Sequence, residues 1–576
     1  MPAALLDVEF CQRSKGRAMT AKTKSERLRR LLSHGYFAPE LPPCFVSSDL
    51  AKYRKSIIDR IEALTPIRNK PAFHRYYSEP SWFYFPRFGR DDRRHGVPNP
   101  IAYLLLSRAV ADNYVSMRNV AKTSGISASP PIFDWSGPRA VMRPSIDLRD
   151  DFRVDLSSRR EEYVSADIRA FFHSIYTHAI PWAIHGKAFA KQNRGVEHYG
   201  NLIDLLCRNA QDGQTIGLPV GPDCSRLIAE VVASAIDALL REKIGVSSQD
   251  ASRYIDDYTI SSGDNLSGEN LIAALRQAAG AFELELNNDK SAILSTSVRQ
   301  ESGWKQEVRS YVPRSGSDDG EFQHFFYRVG QVCKAHPDLN VEKYAFQNAR
   351  MAFVRANSWN RLQSHLIAAY RRNSSLIAFL VEITILRQTD RGDVNIPRLA
   401  EFLGHRIPVL AQENRSGEII WLLFLALRLE IPLSAQWVVP LTEMDNSLIA
   451  LLVAVCVHRQ LIDGTVDFTR WNRALSGDGL RSGMWLFAYE SVGLGINPAP
   501  STAFIEQDPY FSHLHARRVR FFSIDNGFTS IGDTLRSLRG DNTRLRRVRD
   551  DFIDDFSFEL DELDDDADFE VEDTGY

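Results

Sequence analysis

The feature that most constrains this chain is a pair of adjacent aspartates inside a short apolar run that favours a β-strand. The run is "SRYIDDYTI" at Ser252–Ile260, and the pair is Asp256 and Asp257. Like charges so close together cost a strand stability, so their presence calls for a physical reason. A hairpin turn with two solvated aspartates is the simplest interpretation, because Asp is a common turn residue. Other features of the sequence are needed to distinguish a simple turn from a functional site.

The length and composition are those of a globular protein with several domains. A chain of 576 residues predicts two to four domains. The six cysteines are scattered without a CxxC pair, which argues against a zinc ribbon or a disulfide framework and fits a reducing compartment. The longest apolar runs, Ile419–Leu427 and Leu448–Val457, are about half a membrane span and predict buried helices. With no apolar signal core at the N-terminus, we expect a cytoplasmic protein.

Charge is distributed unevenly along the chain. The segment Asp550–Tyr576 holds 14 acidic residues and no Lys or Arg, although the whole chain has a net charge of only −3. The remaining 59 acidic and 70 basic residues give residues 1–549 a net charge of +11. A basic body is compatible with polyanion binding. The acidic tail is predicted to be a disordered, solvating segment, and the alternative is that it competes with nucleic acid for the basic body.

The hydrophobic pattern divides the chain into four parts. We predict a flexible and then helical N-terminus at 1–35, an α+β domain at 36–312, an α-helical domain at 313–548 and an acidic tail at 549–576. The polar stretch "RSGSDDGEF" at Arg314–Phe322 is predicted to be a linker or long loop. Apolar helices then start at residues 375, 416, 446 and 482, and these spacings resemble a degenerate HEAT-like array. An irregular helical bundle explains the same pattern nearly as well.

Three further elements accompany the paired aspartates. Tyr163–Ile168 alternates like a strand and carries Asp167 near its end, where an isolated aspartate is usually a turn residue or a helix cap. The loop "GLPVGPDCS" precedes a helix that starts at about Ser225 and has one apolar face. Downstream, "LNNDKSAI" carries Lys290 just before an apolar run. The sequence therefore orders strand and Asp167, loop and helix, paired aspartates, and finally a turn with Lys290.

This order resembles motifs A to D of reverse transcriptases. Motif A corresponds to "DIRAFFHSI", motif B to "GLPVGPDCS", motif C to "YIDD" and motif D to "LNNDKSAI", and "RRHGVPNPIAYLLLSRAV" is similar to the fingers segment. The resemblance covers residues 36–300 approximately and implies a right-hand polymerase with fingers and palm, followed by the helical domain. Phosphoryl transfer from a nucleoside triphosphate can use two divalent cations, which need carboxylates that converge from separate segments.

The resemblance implies a role for each matching residue. Asp167 and Asp256 are the expected principal metal ligands, supported by Asp257 and by the backbone carbonyl of Ile168, with Mg²⁺ as the metal and Mn²⁺ as the alternative. The expected contacts to the nucleotide come from Arg93 and Arg94 on the triphosphate, Phe172 against a 2′-hydroxyl and Lys290 on the pyrophosphate. The alternatives are solvated surface arginines, a core aromatic residue and an ordinary surface lysine.

One position departs from ordinary reverse transcriptases, which usually carry Gln where this chain has Val220. The string "GLPVGPDCSRLIAE" is instead similar to the bacterial abortive-infection and defence-associated reverse transcriptases (the AbiK-like, "unknown group" family). That resemblance implies antiphage DNA synthesis from dNTPs, either untemplated and primed from a protein tyrosine or copied from a bound noncoding RNA. Tyr36 and Tyr576 are candidate priming residues on flexibility alone.

The family also implies a homo-oligomer, and a partner protein encoded nearby is a further possibility; no membrane contact is expected. Two other functions stay open. One is a conventional RNA-templated polymerase like those of retrons or group II introns. The other belongs to a different class: an inactive polymerase fold that senses phage nucleic acid or phage protein. Three intact aspartates argue against that binding module.

Overall fold

The computed structural model describes residues 23–143, 145, 147–261, 266–296, 303–496 and 501–528. These residues all belong to the first of two units, Met1–Ile531. The second unit, Gly532–Tyr576, lies outside the described residues, and with it the predicted acidic tail and Tyr576.

Eight strands form three sheets in the described part of the chain. The strands are β1 Ser81–Arg87, β2 Arg90–Val97, β3 Glu162–Asp167, β4 Ala251–Tyr254, β5 Asp257–Ile260, β6 Ala292–Ser295, β7 Leu433–Ser434 and β8 Ile462–Asp463. The largest sheet has the order β4-β5-β3-β6, and each neighbouring pair is antiparallel. This sheet is the palm that the sequence predicts. Strand β3 pairs with β5 on one side and with β6 on the other, so the strand that carries Asp167 is an inner strand of the sheet.

Helices flank the palm and the strands that precede it. Those of the first half are α1 Lys24–His34, α2 Ser48–Lys52, α3 Arg54–Glu62, α4 Pro100–Asp112, α5 Tyr114–Lys122, α6 Asp147–Ser157, α7 Phe171–Ser174, α8 Ala179–His185, α9 Lys187–Gln192, α10 Tyr199–Asn209, α11 Asp223–Ile244 and α12 Gly268–Gly280. Helix α11 is the helix predicted from about Ser225, and its apolar residues Leu227, Ile228, Val231 and Val232 are buried. Helix α12 packs on α11 and on β3, so it covers the palm sheet.

The fingers segment is a two-stranded ribbon followed by a helix. Strands β1 and β2 pair from Ser81↔Val97 to Arg87↔Arg90, with an irregularity between Phe85 and Arg87. Helix α4 begins with Pro100, and the Asn99 side chain caps its first turn by accepting from the Ile101 N–H at 3.1 Å. The predicted fingers match thus folds as a ribbon that leads into a buried helix.

The second half of the described chain is almost wholly helical. Its helices are α13 Gly303–Ser310, α14 Asp319–Ala335, α15 Val341–Asn348, α16 Arg350–Val354, α17 Asn360–Arg372, α18 Ile377–Arg391, α19 Ile396–Gln412, α20 Ser416–Leu429, α21 Ala435–Val438, α22 Ser447–His458, α23 Thr469–Asn472, α24 Trp485–Gly493, α25 Ala503–Glu506 and α26 Phe511–Ala516. The four apolar helices predicted from the sequence are α18, α20, α22 and α24, and α20 and α22 are buried over nearly their whole length.

Two details differ from the prediction for this half. The short parallel ladder β7–β8 interrupts the helices, and helix lengths run from 4 to 17 residues, so the HEAT-like array is not confirmed. The predicted linker at Arg314–Phe322 is shorter than expected, because helix α14 already begins at Asp319. Asp318 and Glu321 form a reciprocal capping box there, which starts a helix inside a stretch that looks like a polar loop.

The fingers ribbon packs against the helical half. The Ser416 hydroxyl accepts from the Tyr84 N–H at 2.9 Å, and the Asn446 amide donates to the Trp82 carbonyl at 2.9 Å. Gly417 allows the backbones of α20 and β1 to approach, because a Cβ there would overlap the Tyr84 carbonyl oxygen and lie 3.1 Å from the Phe85 Cα.

Among the helices that the structure describes, none has the length and apolar character that crossing a bilayer demands. The five cysteines within the described ranges are free thiols, as the sequence predicts.

Candidate active site

The paired aspartates lie on a tight hairpin between β4 and β5. Tyr254 and Asp257 are opposite each other across the ladder, which leaves Ile255 and Asp256 as the two turn residues. Ile255 has φ 62°, a left-handed conformation that a β-branched residue adopts at a cost in free energy. The turn therefore presents Asp256 at its tip and keeps Asp257 as the first residue of β5.

Asp167 reaches the same point from the neighbouring strand. It ends β3 and is the register partner of Asp257, and opposite residues of an antiparallel pair point to the same face of the sheet. The next residue, Ile168, donates its N–H to the Asp256 carbonyl at 3.2 Å. The Asn287 N–H donates to the Asp167 carbonyl at 2.7 Å, which ties the segment before Lys290 to the same strand end. Three carboxylates from two chain segments thus converge at one end of the palm sheet.

The convergence perturbs the ionisation of Asp256. Burial and the negative charges of Asp167 and Asp257 raise the pKa of Asp256 from 3.8 to about 6, and the positive charge of Arg93 acts in the opposite direction. Burial and neighbouring negative charges both raise the pKa of a carboxyl group, because each disfavours its ionised form. A raised pKa of this kind, in a convergent set of carboxylates, is typical of a functional site.

Two cations already balance part of this charge. Lys290, at the end of the 3₁₀ turn Asn288–Lys290, forms an ion pair with Asp167. Arg149, on α6, forms an ion pair with Asp257 at 2.7 Å. The structure therefore brings Lys290 to Asp167, and its role on the pyrophosphate stays a prediction. Arg149 was missed, because no motif or spacing in the sequence connects α6 with the hairpin.

The predicted nucleotide-binding arginines lie on β2. Both are exposed, and the charge of Arg93 acts on Asp256 as described above. The Arg94 guanidinium stacks over the Trp82 ring at 4.2 Å from its centroid, and the Arg94 carbonyl is 3.1 Å from the His173 Nε2. The structure thus connects Arg93 with the carboxylates electrostatically, whereas Arg94 is engaged by an aromatic ring.

Phe172 and Ile168 lie on either side of the turn that follows β3. Phe172 is half-buried and lines a small cavity together with Ile255 and Pro130, and its carbonyl accepts from the Leu218 N–H at 2.7 Å. Ile168 is fully buried. The steric role of Phe172 and the use of the Ile168 carbonyl as a metal ligand stay predictions.

The loop "GLPVGPDCS" lies against the fingers ribbon. The Gly96 N–H donates to the Val220 carbonyl at 3.1 Å, and Asp223 accepts from the Ala140 and Val141 N–H groups at 2.9 and 3.0 Å. Arg139 binds the Asp223 carboxylate at 2.6 Å. The loop thus does more than start a helix: it also joins the fingers ribbon to the palm.

The donor set fits a divalent cation. Carboxylate oxygens that repel one another in the absence of metal suit a hard cation such as Mg²⁺. In the part of the chain that the structure describes, no three His, Cys, Asp or Glu side chains stand in a ready-made metal geometry. Lys290 and Arg149 hold Asp167 and Asp257 instead, so these two ion pairs would have to loosen for both carboxylates to turn towards a cation.

Comparison with known proteins agrees with this geometry. Residues 126–311 match the family described as "Reverse transcriptase (RNA-dependent DNA polymerase)", a range that includes all three aspartates and Lys290. Residues 126–311 therefore match a domain of RNA-directed DNA polymerases, a class of nucleotidyltransferases.

Among solved structures, the chain is similar to telomerase from Candida albicans in complex with a TWJ fragment of telomeric RNA. The identity is 11% and the TM-score 0.26, over 60% of this chain and 66% of that chain, so just under two thirds of the telomerase chain is spanned. No curated protein matches the sequence.

Proposed function

We propose that this chain synthesises DNA from deoxynucleoside triphosphates at the site formed by Asp167, Asp256 and Asp257. The observation that carries the proposal is their convergence: Asp167 is the register partner of Asp257, and Ile168 is hydrogen-bonded to Asp256. A strand end and a hairpin tip that meet in this way are what a phosphoryl-transfer site needs. The reverse transcriptase domain match over the same residues supports it.

The surrounding residues take complementary parts in the proposed reaction. Asp167, Asp256, Asp257 and the Ile168 carbonyl would hold Mg²⁺, which would supply positive charge to stabilise the transferring phosphoryl group. Arg93 is exposed and near Asp256, where it can hold the triphosphate. Phe172 selects against a 2′-hydroxyl. Lys290, next to Asp167, gives a proton to the departing pyrophosphate.

A basic groove supports nucleic acid as substrate and product. Arg87, Arg90 and Arg372 line a groove of about 480 Å³ between the tip of the fingers ribbon and the helical half. Arg90 is exposed, and the Arg372 side chain is 63% exposed and pairs with Glu342. Such a surface attracts a phosphate backbone, in keeping with the net charge of +11 of residues 1–549.

We assign the chain to antiphage defence, with DNA synthesis that needs no added template and starts from a protein tyrosine. The support is the similarity of "GLPVGPDCSRLIAE" to defence-associated enzymes and the Val220 departure. Tyr36 is a poor priming residue, which corrects the expectation from flexibility. Its side chain is fully buried, and its hydroxyl donates to the Pro98 carbonyl at 2.5 Å. Homo-oligomerisation through the helical half, a partner protein and a cytoplasmic location belong to the same proposal.

The experiment that tests this proposal supplies labelled dNTPs and Mg²⁺ to the purified protein without template or primer. The products are separated on a denaturing gel before and after protease, beside a variant with Asp256→Ala and Asp257→Ala. We expect label that stays with the protein until proteolysis and is absent from the double variant.

Other outcomes lead to the alternatives. Synthesis that requires an added primer and RNA template would indicate a conventional enzyme, like those of retrons or group II introns. Label that nuclease treatment of the protein abolishes would indicate a copurified noncoding RNA as template. No incorporation under either condition would contradict the enzymatic proposal and favour a polymerase fold that senses nucleic acid or protein.

A further inference from the structure

Arg253, three residues before Asp256, is a fully buried arginine that belongs to none of the predicted site roles. Its guanidinium is held by two carboxylates of helix α11. Nε donates to both oxygens of Asp237 at 2.9 and 2.8 Å, and Nη2 donates to Glu230 at 2.7 Å. Those carboxylates raise the pKa of Arg253 well above its ordinary value, so the buried charge is permanent. A buried charge persists when it is paired in this way.

The same guanidinium also binds the catalytic hairpin. Its Nη1 donates to the Ile255 carbonyl at 2.7 Å as well as to Glu230 at 3.1 Å. The Ile255 N–H donates to the Ser129 hydroxyl at 3.0 Å, and that hydroxyl donates to Glu230 at 3.3 Å. Both backbone polar groups of the residue with positive φ are therefore tied to one network, and the network is anchored on α11.

This arrangement matters because Ile255 is the strained residue of the turn. A β-branched side chain at φ 62° favours return to an extended backbone unless its surroundings hold it. Release of Ile255 would rotate the peptide bond that leads into Asp256, and with it the direction of the carboxylate. The Asp256 carbonyl would also lose its contact with the Ile168 N–H at the end of β3.

We infer that Arg253 is a positioning residue for DNA synthesis: it holds Ile255 in its left-handed conformation and so aims Asp256 at the point where Asp167 lies. Arg253 does not touch substrate, and it acts through the hairpin backbone. The inference rests on the proposed function for its kinetic consequence. Its structural content, the orientation of Asp256 towards a cation, can be measured independently of DNA synthesis.

A matched arginine elsewhere in the fold separates positioning from stability. Arg387 on α18 is also buried, pairs with Asp393 and donates to the Val354 and Ala356 carbonyls at 2.8 and 2.7 Å. Both arginines thus join carboxylates to the backbone: Arg253 joins two carboxylates to one carbonyl, and Arg387 joins one carboxylate to two carbonyls. Arg387, however, lies in the helical half. Lysine at either position keeps the charge and loses the forked geometry that holds several acceptors at once.

The test compares the wild-type chain with Arg253→Lys, Ser129→Ala and Arg387→Lys. Each protein is first checked for folding by circular dichroism and thermal unfolding, and kinetic constants are expressed per folded molecule. We expect Arg253→Lys to lower kcat about 10- to 100-fold, with the KM for dNTP within about twofold of the wild type, because a small misplacement of a reacting group has effects of that size. Ser129→Ala should also lower kcat, but by less than Arg253→Lys does. Arg387→Lys should leave kcat unchanged.

A second measurement does not depend on synthesis. Mn²⁺ is titrated calorimetrically into the same proteins and into Asp256→Asn as the reference for loss of the site. We expect Arg253→Lys to weaken Mn²⁺ binding about 10- to 100-fold, the usual consequence of losing a group that orients a ligand. If wild-type protein binds Mn²⁺ but incorporates no dNTP, the proposed function fails and the titration still decides the role of Arg253. The inference is overturned if Arg253→Lys keeps Mn²⁺ affinity within about twofold of wild type, or if Arg387→Lys weakens it equally.

Discussion

Each aspartate of the site has a different immediate neighbour. Asp167 is paired with Lys290 and Asp257 with Arg149. Asp256 faces two like charges, which the positive charge of Arg93 offsets in part. The ionised form of Asp256 is therefore unfavourable in the absence of a cation. This asymmetry has consequences that can be measured before any substrate is added.

The first concerns stability and pH. The pKa of Asp256 is about 6 in the fold and near 3.8 when unfolded, so the folded state holds the proton more tightly between these values. Stability from this group therefore falls as pH rises from about 4 to 6.5, and above that range the ionised carboxylate costs roughly 1–3 kcal/mol. We expect Asp256→Asn in EDTA to unfold at a higher temperature than wild type at pH 7.5, with the difference vanishing near pH 4. Equal unfolding temperatures at pH 7.5 would contradict this account of the site.

The second concerns Lys290. If its ammonium group donates a proton to pyrophosphate, Lys290→Gln should lower kcat about 10- to 100-fold and leave the KM for dNTP nearly unchanged. Lys290→Arg should retain more activity than Lys290→Gln at pH 7 because the cation next to Asp167 is kept. Rapid-quench incorporation of one dNTP measures the chemical step. Full activity of Lys290→Gln would contradict the proton-donor role and indicate that Lys290 is an ordinary surface lysine.

At the scale of elements, the sequence predicts the parts of the site but not every contact between them. Strand β3, the hairpin β4–β5 and helix α11 were found from alternation, apolar periodicity and motif order, and the structure has them within one to three residues. Arg149 and Tyr36 are two residues whose contacts the sequence patterns do not predict. Arg149 meets Asp257 because α6 packs beside β4, and Tyr36 is buried by aromatic residues such as Tyr103, 67 positions away in sequence. Contacts of that kind depend on tertiary packing, which local patterns do not encode.

The contact of α20 with the fingers ribbon is a second feature that no local pattern predicts. Gly417 lies where a Cβ would overlap the Tyr84 carbonyl oxygen, a backbone atom that cannot move aside cheaply. We expect Gly417→Ala to destabilise the protein by about 1–3 kcal/mol, as overpacking does. Gly330→Ala on α14 is the control, because nothing lies within 4 Å of its Cβ position and Ala favours a helix. Urea unfolding compares the two, and a Gly417→Ala protein as stable as Gly330→Ala would show that the ribbon and α20 are not in close contact.

At the scale of the whole molecule, the fingers ribbon and the helical half share the groove that holds Arg87, Arg90 and Arg372. If single-stranded nucleic acid lies there, replacing all three by Gln should weaken oligonucleotide binding and reduce the slope of log K against log salt by about 2. Fluorescence anisotropy at several salt concentrations measures both quantities.

The control for the groove has the same change in charge on another part of the surface. It replaces Arg459, Arg470 and Arg473 by Gln, all of which are exposed residues of the helical half. Equal losses in the two triple variants would indicate that net charge, rather than the groove, accounts for binding.

The central claim is that Asp167, Asp256 and Asp257 form a polymerase site, and one comparison tests it most directly. Mg²⁺-dependent dNTP incorporation is measured for wild type, Asp256→Asn and Asp155→Asn, with and without an added primer and template. Asp155 is a matched carboxylate, 65% exposed and paired with Arg159 on the surface of α6. We expect incorporation by wild type and Asp155→Asn and a loss of at least about 1000-fold in Asp256→Asn, because removing one principal metal ligand abolishes most of the electrostatic stabilisation. Incorporation by Asp256→Asn at the wild-type rate, or none by wild type under either condition, would contradict the account.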